Sequence, residues 1–248
     1  MQCAILAGGR GLRMRPATDQ LPKCLLPVAD RPFADWQLEW LAREGVDEVV
    51  YCIGYRGDLV REHVGDGRRF GLTVDYVDEG AHPLGTAGAL RLAAEAGALD
   101  PTFWVLYGDS FLSVSLAAVE EQYVQQGAPV LMTVYRDVDH LDAPNAVFGQ
   151  GMVTNYEKDV SSPPADMVYI DYGLSLWLRS VVEDRVPPRT PVDLAALFTD
   201  LSRAGLLSGY EVADRFHEIG SPAGWQELDA WLRNNDAIGV KPTDPRPT

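Results

Sequence analysis

Between Leu6 and Lys23 the chain reads LAGGRGLRMRPATDQLPK, where Gly8, Gly9 and Gly11 are interleaved with and followed by Arg10, Arg13, Arg15 and Lys23. Glycine lets the main chain come close to a ligand, so that consecutive N–H groups can point at one anion, and the cations neutralise the charge that remains. This chemistry suits a polyphosphate. A Walker-type loop would place Lys and then Ser or Thr after the last glycine, where this chain has Leu12 and Arg13. A dinucleotide fingerprint would open a long helix, which Pro16 and Pro22 oppose. The segment therefore reads as an extended, proline-stiffened loop laid across phosphates. A second chemical feature is Gly108-Asp109-Ser110, directly after the apolar run Phe103–Tyr107. A carboxylate just past the end of a central strand lies where a parallel sheet places its ligand.

The elements around these residues alternate. Met1–Leu6 is apolar and suits a buried strand emptying into the glycines. Phe33, Trp36, Trp40 and Leu41 recur at helical spacing up to Gly45, followed by a strand at Val46–Ile53, a short helix at Asp58–Val64 and a strand at Leu72–Val77. A helix is expected from Thr86 through Ala94, with Gly85 just before it; such a start leaves N–H groups and a capping hydroxyl for a ligand. Further on come a helix at Leu116–Gln126, a strand at Pro129–Tyr135, a hairpin-like pair across Ala146–Tyr156 and a strand at Met167–Trp177. Val192–Ala204 is an amphipathic helix with Leu194, Leu197, Phe198 and Leu201 on one face. Strand candidates at Leu206–Val212 and Arg215–Glu218 precede a last helix at Ala223–Leu232. The pattern predicts an α/β fold, Rossmann-like, with a mixed, mostly parallel sheet flanked by helices and ligands beyond the carboxyl ends of the strands. One domain is expected over residues 1–234, with 235–248 as a flexible, proline-rich tail.

The net charge of −15 argues against nucleic acid and anionic membranes as partners, since both select basic surfaces. No apolar run approaches the roughly 20 residues of a membrane span, and a strand stands where a signal peptide would, so the expected location is cytoplasmic. Cys3, Cys24 and Cys52 are too scattered for a disulfide framework or a CxxC site and read as buried thiols. The four histidines form no HExxH or HxH grouping, and no GxSxG elbow occurs.

Gly8, Gly9, Gly11, Arg13, Pro16, Thr18, Pro22 and Lys23 together resemble the GGxGxRxxPxTxxxPK signature of the sugar-1-phosphate nucleotidylyltransferases. Other segments follow that family's order over Met1 to about Leu232. DEGAHPLGTAGAL resembles its base-recognition block, one residue longer than the usual spacing before Pro83; Gly108-Asp109 resembles its metal motif; Tyr156-Glu157-Lys158 resembles its FxEKP segment, with Asp159 in place of proline. Asp171-Tyr172-Gly173 stands where the family commonly has Asn-Ala-Gly, and Glu218-Ile219-Gly220-Ser221-Pro222 where it has DxGTP.

The resemblance implies a GT-A-like fold and Mg2+-dependent transfer of a nucleotidyl group from an NTP to a sugar 1-phosphate. It implies Arg13 and Lys23 as catalytic cations and Asp109 and Glu218 as Mg2+ ligands. Leu6, Ala7, Gly8, Gly9, Gly11, Glu79, Gly85 and Thr86 would bind the nucleotide. Gly108, Glu157, Lys158, Asp171 and Gly173 would bind the sugar phosphate. A carboxylate at Glu79 accepts two donors from the guanine edge, which favours GTP. Within the family the chain most resembles heptose or mannose 1-phosphate guanylyltransferases. The alternatives are a hexosamine or glucose 1-phosphate uridylyl- or thymidylyltransferase and, from another class, a non-catalytic nucleotide-sugar-binding regulatory protein. The sequence leaves the oligomeric state open, a homodimer included.

Overall fold

In the computed structural model the described residues are 1–137 and 143–235, so the expected tail lies outside them except for Asn235. The strands are β1 (Gln2–Ala7), β2 (Pro27–Val28), β3 (Arg31–Pro32), β4 (Glu48–Ile53), β5 (Thr73–Asp78), β6 (Thr102–Tyr107), β7 (Ser110–Phe111), β8 (Val130–Arg136), β9 (Ala146–Gly149), β10 (Met152–Tyr156), β11 (Tyr169–Leu178), β12 (Leu207–Val212) and β13 (His217–Glu218). The helices are α1 (Phe33–Arg43), α2 (Gly57–Val64), α3 (Gly85–Glu95), α4 (Leu116–Gln126), α5 (Arg179–Arg185), α6 (Leu194–Arg203) and α7 (Pro222–Asn234).

The main sheet runs β5-β4-β1-β6-β11-β8-β12-β10-β9. Its first four strands are parallel, while β11 and β10 run against the others. Alternate residues of a strand face opposite sides, and both sides are covered. Cys3 and Ile5 of β1 and Val49 and Tyr51 of β4 pack with α1, α2 and α4; Ala4, Val50 and Cys52 pack with α3, α5 and α6. Burial on both faces is why these strands read as apolar runs. The expected stripe on α6 is buried at Leu194, Leu197, Phe198 and Leu201, each contributing about 1.5–3 kcal/mol.

Register decides where the loops emerge. Ala7 lies beside Ile53, Leu6 beside Tyr107, and Ile53 beside Asp78. The glycine loop after β1, the Gly108-Asp109 turn after β6 and Glu79 after β5 therefore leave the sheet at one end.

Two local expectations are corrected. The stretch after β1 is compact, not extended: it folds into short 3-10 turns at Leu12–Met14, Ala17–Asp19 and Lys23–Leu25. Thr18 Oγ1 donates to Gly11 O at 2.9 Å, and Tyr55 and Arg56 donate to the carbonyl of Asp19 at 3.1 and 2.9 Å, so side chains close the turns that proline alone would leave open. The start of α3 is also taken up internally. Val192 O accepts from Ala87 N at 2.9 Å and Gly88 N at 3.1 Å, while the Thr86 hydroxyl donates to Asp193 Oδ1 at 2.6 Å and accepts from Leu194 N at 2.7 Å. The first turns of α3 and α6 thus cap one another. Helix α5, between β11 and α6, was not expected from the sequence pattern.

Gly85 makes this mutual cap possible. Its φ is +71°, and a Cβ there would lie 2.6 Å from Val192 O, too close for any side chain. Gly85→Ala should lower unfolding stability by roughly 2–3 kcal/mol through backbone strain and displacement of Val192. Chemical denaturation checks this, and a variant as stable as the parent would refute the cap.

Candidate active site

The carboxyl ends of β1, β4 and β6 enclose a cavity of about 310 Å³, within the range of small-molecule sites. Its lining includes Leu6, Ala7, Gly8, Gly9 and Gly11 from the first loop, Lys23, Glu79, Gly85 and Thr86, and Gly108 and Asp109. All eight expected nucleotide residues thus lie on one wall system. Tyr107, Cys52 and Asp193, which the sequence reading did not single out, line it as well.

Lys23 Nζ lies 2.7 Å from Asp109 Oδ2, with both side chains partly buried. Asp109 is held by its backbone on two sides. Gln37, a fully buried side chain of α1, donates from Nε2 to Tyr107 O at 2.9 Å and to Ser110 O at 2.7 Å, bracketing the Gly108-Asp109 turn. On the other side Ile219 N donates to Asp109 O at 2.9 Å where β13 pairs antiparallel with β7, placing Glu218 opposite Ser110.

Glu218 is fixed by its own turn. Gly220 N donates to Oε2, and the Ser221 hydroxyl donates to Oε1 at 2.6 Å. Ser221 also caps α7, accepting from Gly224 N at 3.1 Å, with Pro222 at the first helical position. The helix starts at Pro222, one residue before the expected Ala223, and Ser221 links its cap to Glu218. Arg13 arrives at the same point: a Cβ built on Gly220 would lie 3.2 Å from Asp109 Oδ2 and 3.4 Å from Arg13 Nη2. Two carboxylates and two cations from four segments therefore converge beside the cavity.

Asp109 and Glu218 make a suitable donor set for Mg2+, which takes one or two carboxylates and completes its shell with phosphate oxygens and water. Among the described residues no three His, Cys, Asp or Glu side chains gather into a cation cage.

Glu79 is half-buried and lies over Gly8. Its Oε2 accepts from Leu84 N at 2.7 Å. Burial pushes its carboxyl up, partly offset by that N–H.

The remaining expected residues form a separate wall. Asp171, partly buried on β11, accepts from Gly173 N at 2.9 Å and from the Tyr107 hydroxyl at 3.4 Å, and its own N–H donates to Asn145 Oδ1 at 2.9 Å. Gly173 has φ +95°, and a Cβ there would also meet Ser110 Oγ at 2.9 Å, so two constraints favour glycine. Glu157 and Lys158 are exposed just beyond β10 and do not line the cavity; Asn145 O accepts from Glu157 N at 2.9 Å, tying them to the Asp171 wall. Asn145 thus joins Glu157 and Asp171, and no sequence signal marked it.

The Nucleotidyl transferase family profile matches residues 3–150, more than half of the chain. The chain belongs to this family. Mannose-1-phosphate guanylyltransferase of Mycobacterium tuberculosis is 31% identical over 90% of this chain and 62% of its own length. D-glycero-alpha-D-manno-heptose 1-phosphate guanylyltransferase of Campylobacter jejuni is 31% identical over 74% of this chain and 79% of its own. Other relatives are named as uridylyl- and thymidylyltransferases. The chain spans 62% of the length of the Mycobacterium protein. HddC from Yersinia pseudotuberculosis, solved with GMP-PN, superposes with a TM-score of 0.76 over 93% of this chain and 99% of its own, at 21% identity. The sheet and its flanking helices are thus a GT-A-like arrangement. No helix among the described residues is long and apolar enough to cross a membrane.

Burial pushes the Asp171 carboxyl up from 3.8 to about 6, against the opposing pull of Gly173 N–H, the Tyr107 hydroxyl and Lys158. A raised native pKa favours folding below about 3.8, and that contribution is lost as pH rises through about 6. Asp171→Asn, which cannot ionise, should therefore gain thermal stability relative to the parent at pH 8, with the gain shrinking toward pH 5. Melting curves at both pH values check this; a pH-independent difference would contradict the raised carboxyl.

Proposed function

We propose that the protein transfers a nucleotidyl group from an NTP to a sugar 1-phosphate, releasing pyrophosphate. The observation that carries this reading is the convergence of Arg13, Lys23, Asp109 and Glu218 beside a glycine-walled cavity, in a chain whose net charge is −15. A protein that merely bound a nucleotide sugar would have no need of all four.

The chemistry requires little covalent help from the protein. The attacking phosphate oxygen is already an anion and needs no general base, so the task is to align it with the α-phosphorus and neutralise charge. Backbone N–H groups of the first loop bind phosphate. Arg13 holds the β- and γ-phosphates, and Lys23 turns from its carboxylate partner toward the α-phosphate. Asp109 and Glu218 hold Mg2+, which when bound supplies charge neutralisation and polarises phosphoryl oxygens. A ligand filling the cavity would displace water and thereby strengthen each cation's effect. Asp171, Gly173, Glu157 and Lys158 receive the sugar phosphate.

The base is guanine in this reading. Glu79 Oε2 is occupied by Leu84 N, which leaves Oε1 over Gly8 as an acceptor-only edge for the two donors of guanine. Mannose and heptose 1-phosphates are the sugar substrates suggested by the relatives named for them.

A pyrophosphate-release panel crossing four NTPs with several sugar 1-phosphates tests all three levels. GTP with mannose or heptose 1-phosphate should be fastest, with turnover abolished by chelation and restored by Mg2+. A preference for UTP or TTP would overturn the base assignment alone. Silence throughout, with a nucleotide sugar still bound, would favour a regulatory binding protein. Asp109→Asn and Lys23→Ala should each lower kcat by about 10²–10³-fold or more while the fold persists; near-parental pyrophosphate release by either would sink the mechanism.

A further inference from the structure

The cationic loop is gripped from behind by the turn that follows β4. Gly57 N donates to Gly54 O at 3.0 Å, closing a four-residue turn with Tyr55 and Arg56 at its tip. Tyr55 N donates to Gly8 O at 3.1 Å, where the glycines leave β1. Ten residues further along the loop, the Tyr55 hydroxyl lies 3.1 Å from Asp19 O and 3.2 Å from Thr18 O. Arg56 Nη2 donates to Asp19 O at 2.9 Å and to Gln20 Oε1 at 3.3 Å. Arg56 Nε donates to the Tyr55 oxygen at 3.1 Å, so the two side chains orient each other.

Local preferences do not account for Arg56. It stands at the N-cap of α2, where Ser, Thr, Asp or Asn ordinarily accepts from the helix, and a guanidinium has no acceptor to offer. Its φ is +52°, a left-handed conformation that strains a residue with a Cβ. Such strain persists where surrounding contacts hold it, and it concentrates at functional sites. The contacts of this guanidinium run to Tyr55, Asp19 and Gln20.

The grip continues to the cations. The Thr18 hydroxyl donates to Gly11 O at 2.9 Å, and Gly11 opens the turn Leu12–Met14 that carries Arg13. Arg10, Leu12, Arg13 and Arg15 are exposed, so this part of the loop depends more on hydrogen bonds than on apolar burial for its shape. When a loop becomes ordered only on meeting its ligand, the ordering cost is subtracted from affinity; prior ordering removes that cost.

Resting on the nucleotidyl-transfer reading above, we propose that Tyr55 and Arg56 are positioning residues that hold the phosphate loop in its binding shape before the nucleotide arrives. They act through Thr18 and Asp19 on the glycine N–H groups and on Arg13.

The loop carries its own probe, since trypsin cleaves after Arg10, Arg13 and Arg15. Tyr55→Phe removes only the hydroxyl, Arg56→Ala removes the guanidinium, and Arg56→Gly removes it while relieving the strain. Well below the melting midpoint, cleavage at those three arginines should be about tenfold faster in each Arg56 variant than in the parent, and several-fold faster in Tyr55→Phe. The Kd for inorganic tripolyphosphate with Mg2+, a probe that needs neither base nor turnover, should rise roughly tenfold in the Arg56 variants. In pyrophosphate-release assays KM for the NTP should rise in step, with kcat and KM for the sugar 1-phosphate near their parental values. General loss of folding would not produce that split. Parental cleavage and tripolyphosphate affinity in the Tyr55→Phe/Arg56→Ala double variant would overturn the proposal. So would a parent that binds no tripolyphosphate, an Arg56→Gly variant that behaves as the parent, or KM values that rise equally for both substrates. If no NTP is turned over with any sugar 1-phosphate while the cleavage and tripolyphosphate differences persist, the transfer reading falls and the positioning role stands.

Discussion

A two-residue ribbon holds the site together. Where β13 pairs with β7, the Ile219 amide donates to Asp109 O at 2.9 Å and Glu218 lies opposite Ser110. The two carboxylates are separated by more than a hundred residues of chain, and bringing them together costs both loop-closure entropy and electrostatic repulsion. The surrounding groups offset that repulsion. Lys23 pairs with Asp109, Arg13 reaches the same corner, and Gly220 N–H and Ser221 hold Glu218. A cation shared with a phosphorylated ligand would complete the neutralisation, which is the physical link between this ribbon and the proposed transfer.

Around the ribbon, positioning is done largely by backbone acceptors and buried polar side chains. Gln37 clamps both carbonyls that flank the Asp109 turn, and Asn145 ties the ends of three strand segments. The mutual capping of α3 and α6 fixes the wall that carries Gly85, Thr86 and Asp193. These groups touch no reacting atom. The hydrogen bonds they make in a partly dry interior give each loop one geometry in place of several, although Gln37 Oε1 is buried without a partner among the described residues.

The cations beside the cavity and the separate wall on β11 differ in electrostatic character. Arg13 and Lys23 gather against a background of net negative charge, so an anion bound there would depend on local fields and not on the overall one. Burial and the charges of Asp171 and Asp193 raise the phenols of Tyr107 and Tyr156.

Much of the arrangement was legible in the sequence because periodicity and spacing are local properties. Apolar runs marked the buried parallel strands, the α6 stripe marked its core face, and the glycine–cation pattern marked the phosphate loop. The Gly-Asp turn after β6 could be read in the same way. The fate of hydrogen-bonding groups was not legible, since a donor's partner is chosen by what the fold brings near it. Thr86 and the first N–H groups of α3 looked available to a ligand, yet Val192 and Asp193, a hundred residues on, take them. Nothing in the sequence marked Gln37, inside the expected first helix, or Asn145, just before the expected hairpin; only the packing of α1 under the Asp109 turn and of Asn145 against β11 gives them a task. The sequence by itself determined the α/β class, the family and the identities of the charged groups. The tertiary structure decided which of those charges face one another, because register and strand pairing, not spacing along the chain, set distances between segments far apart.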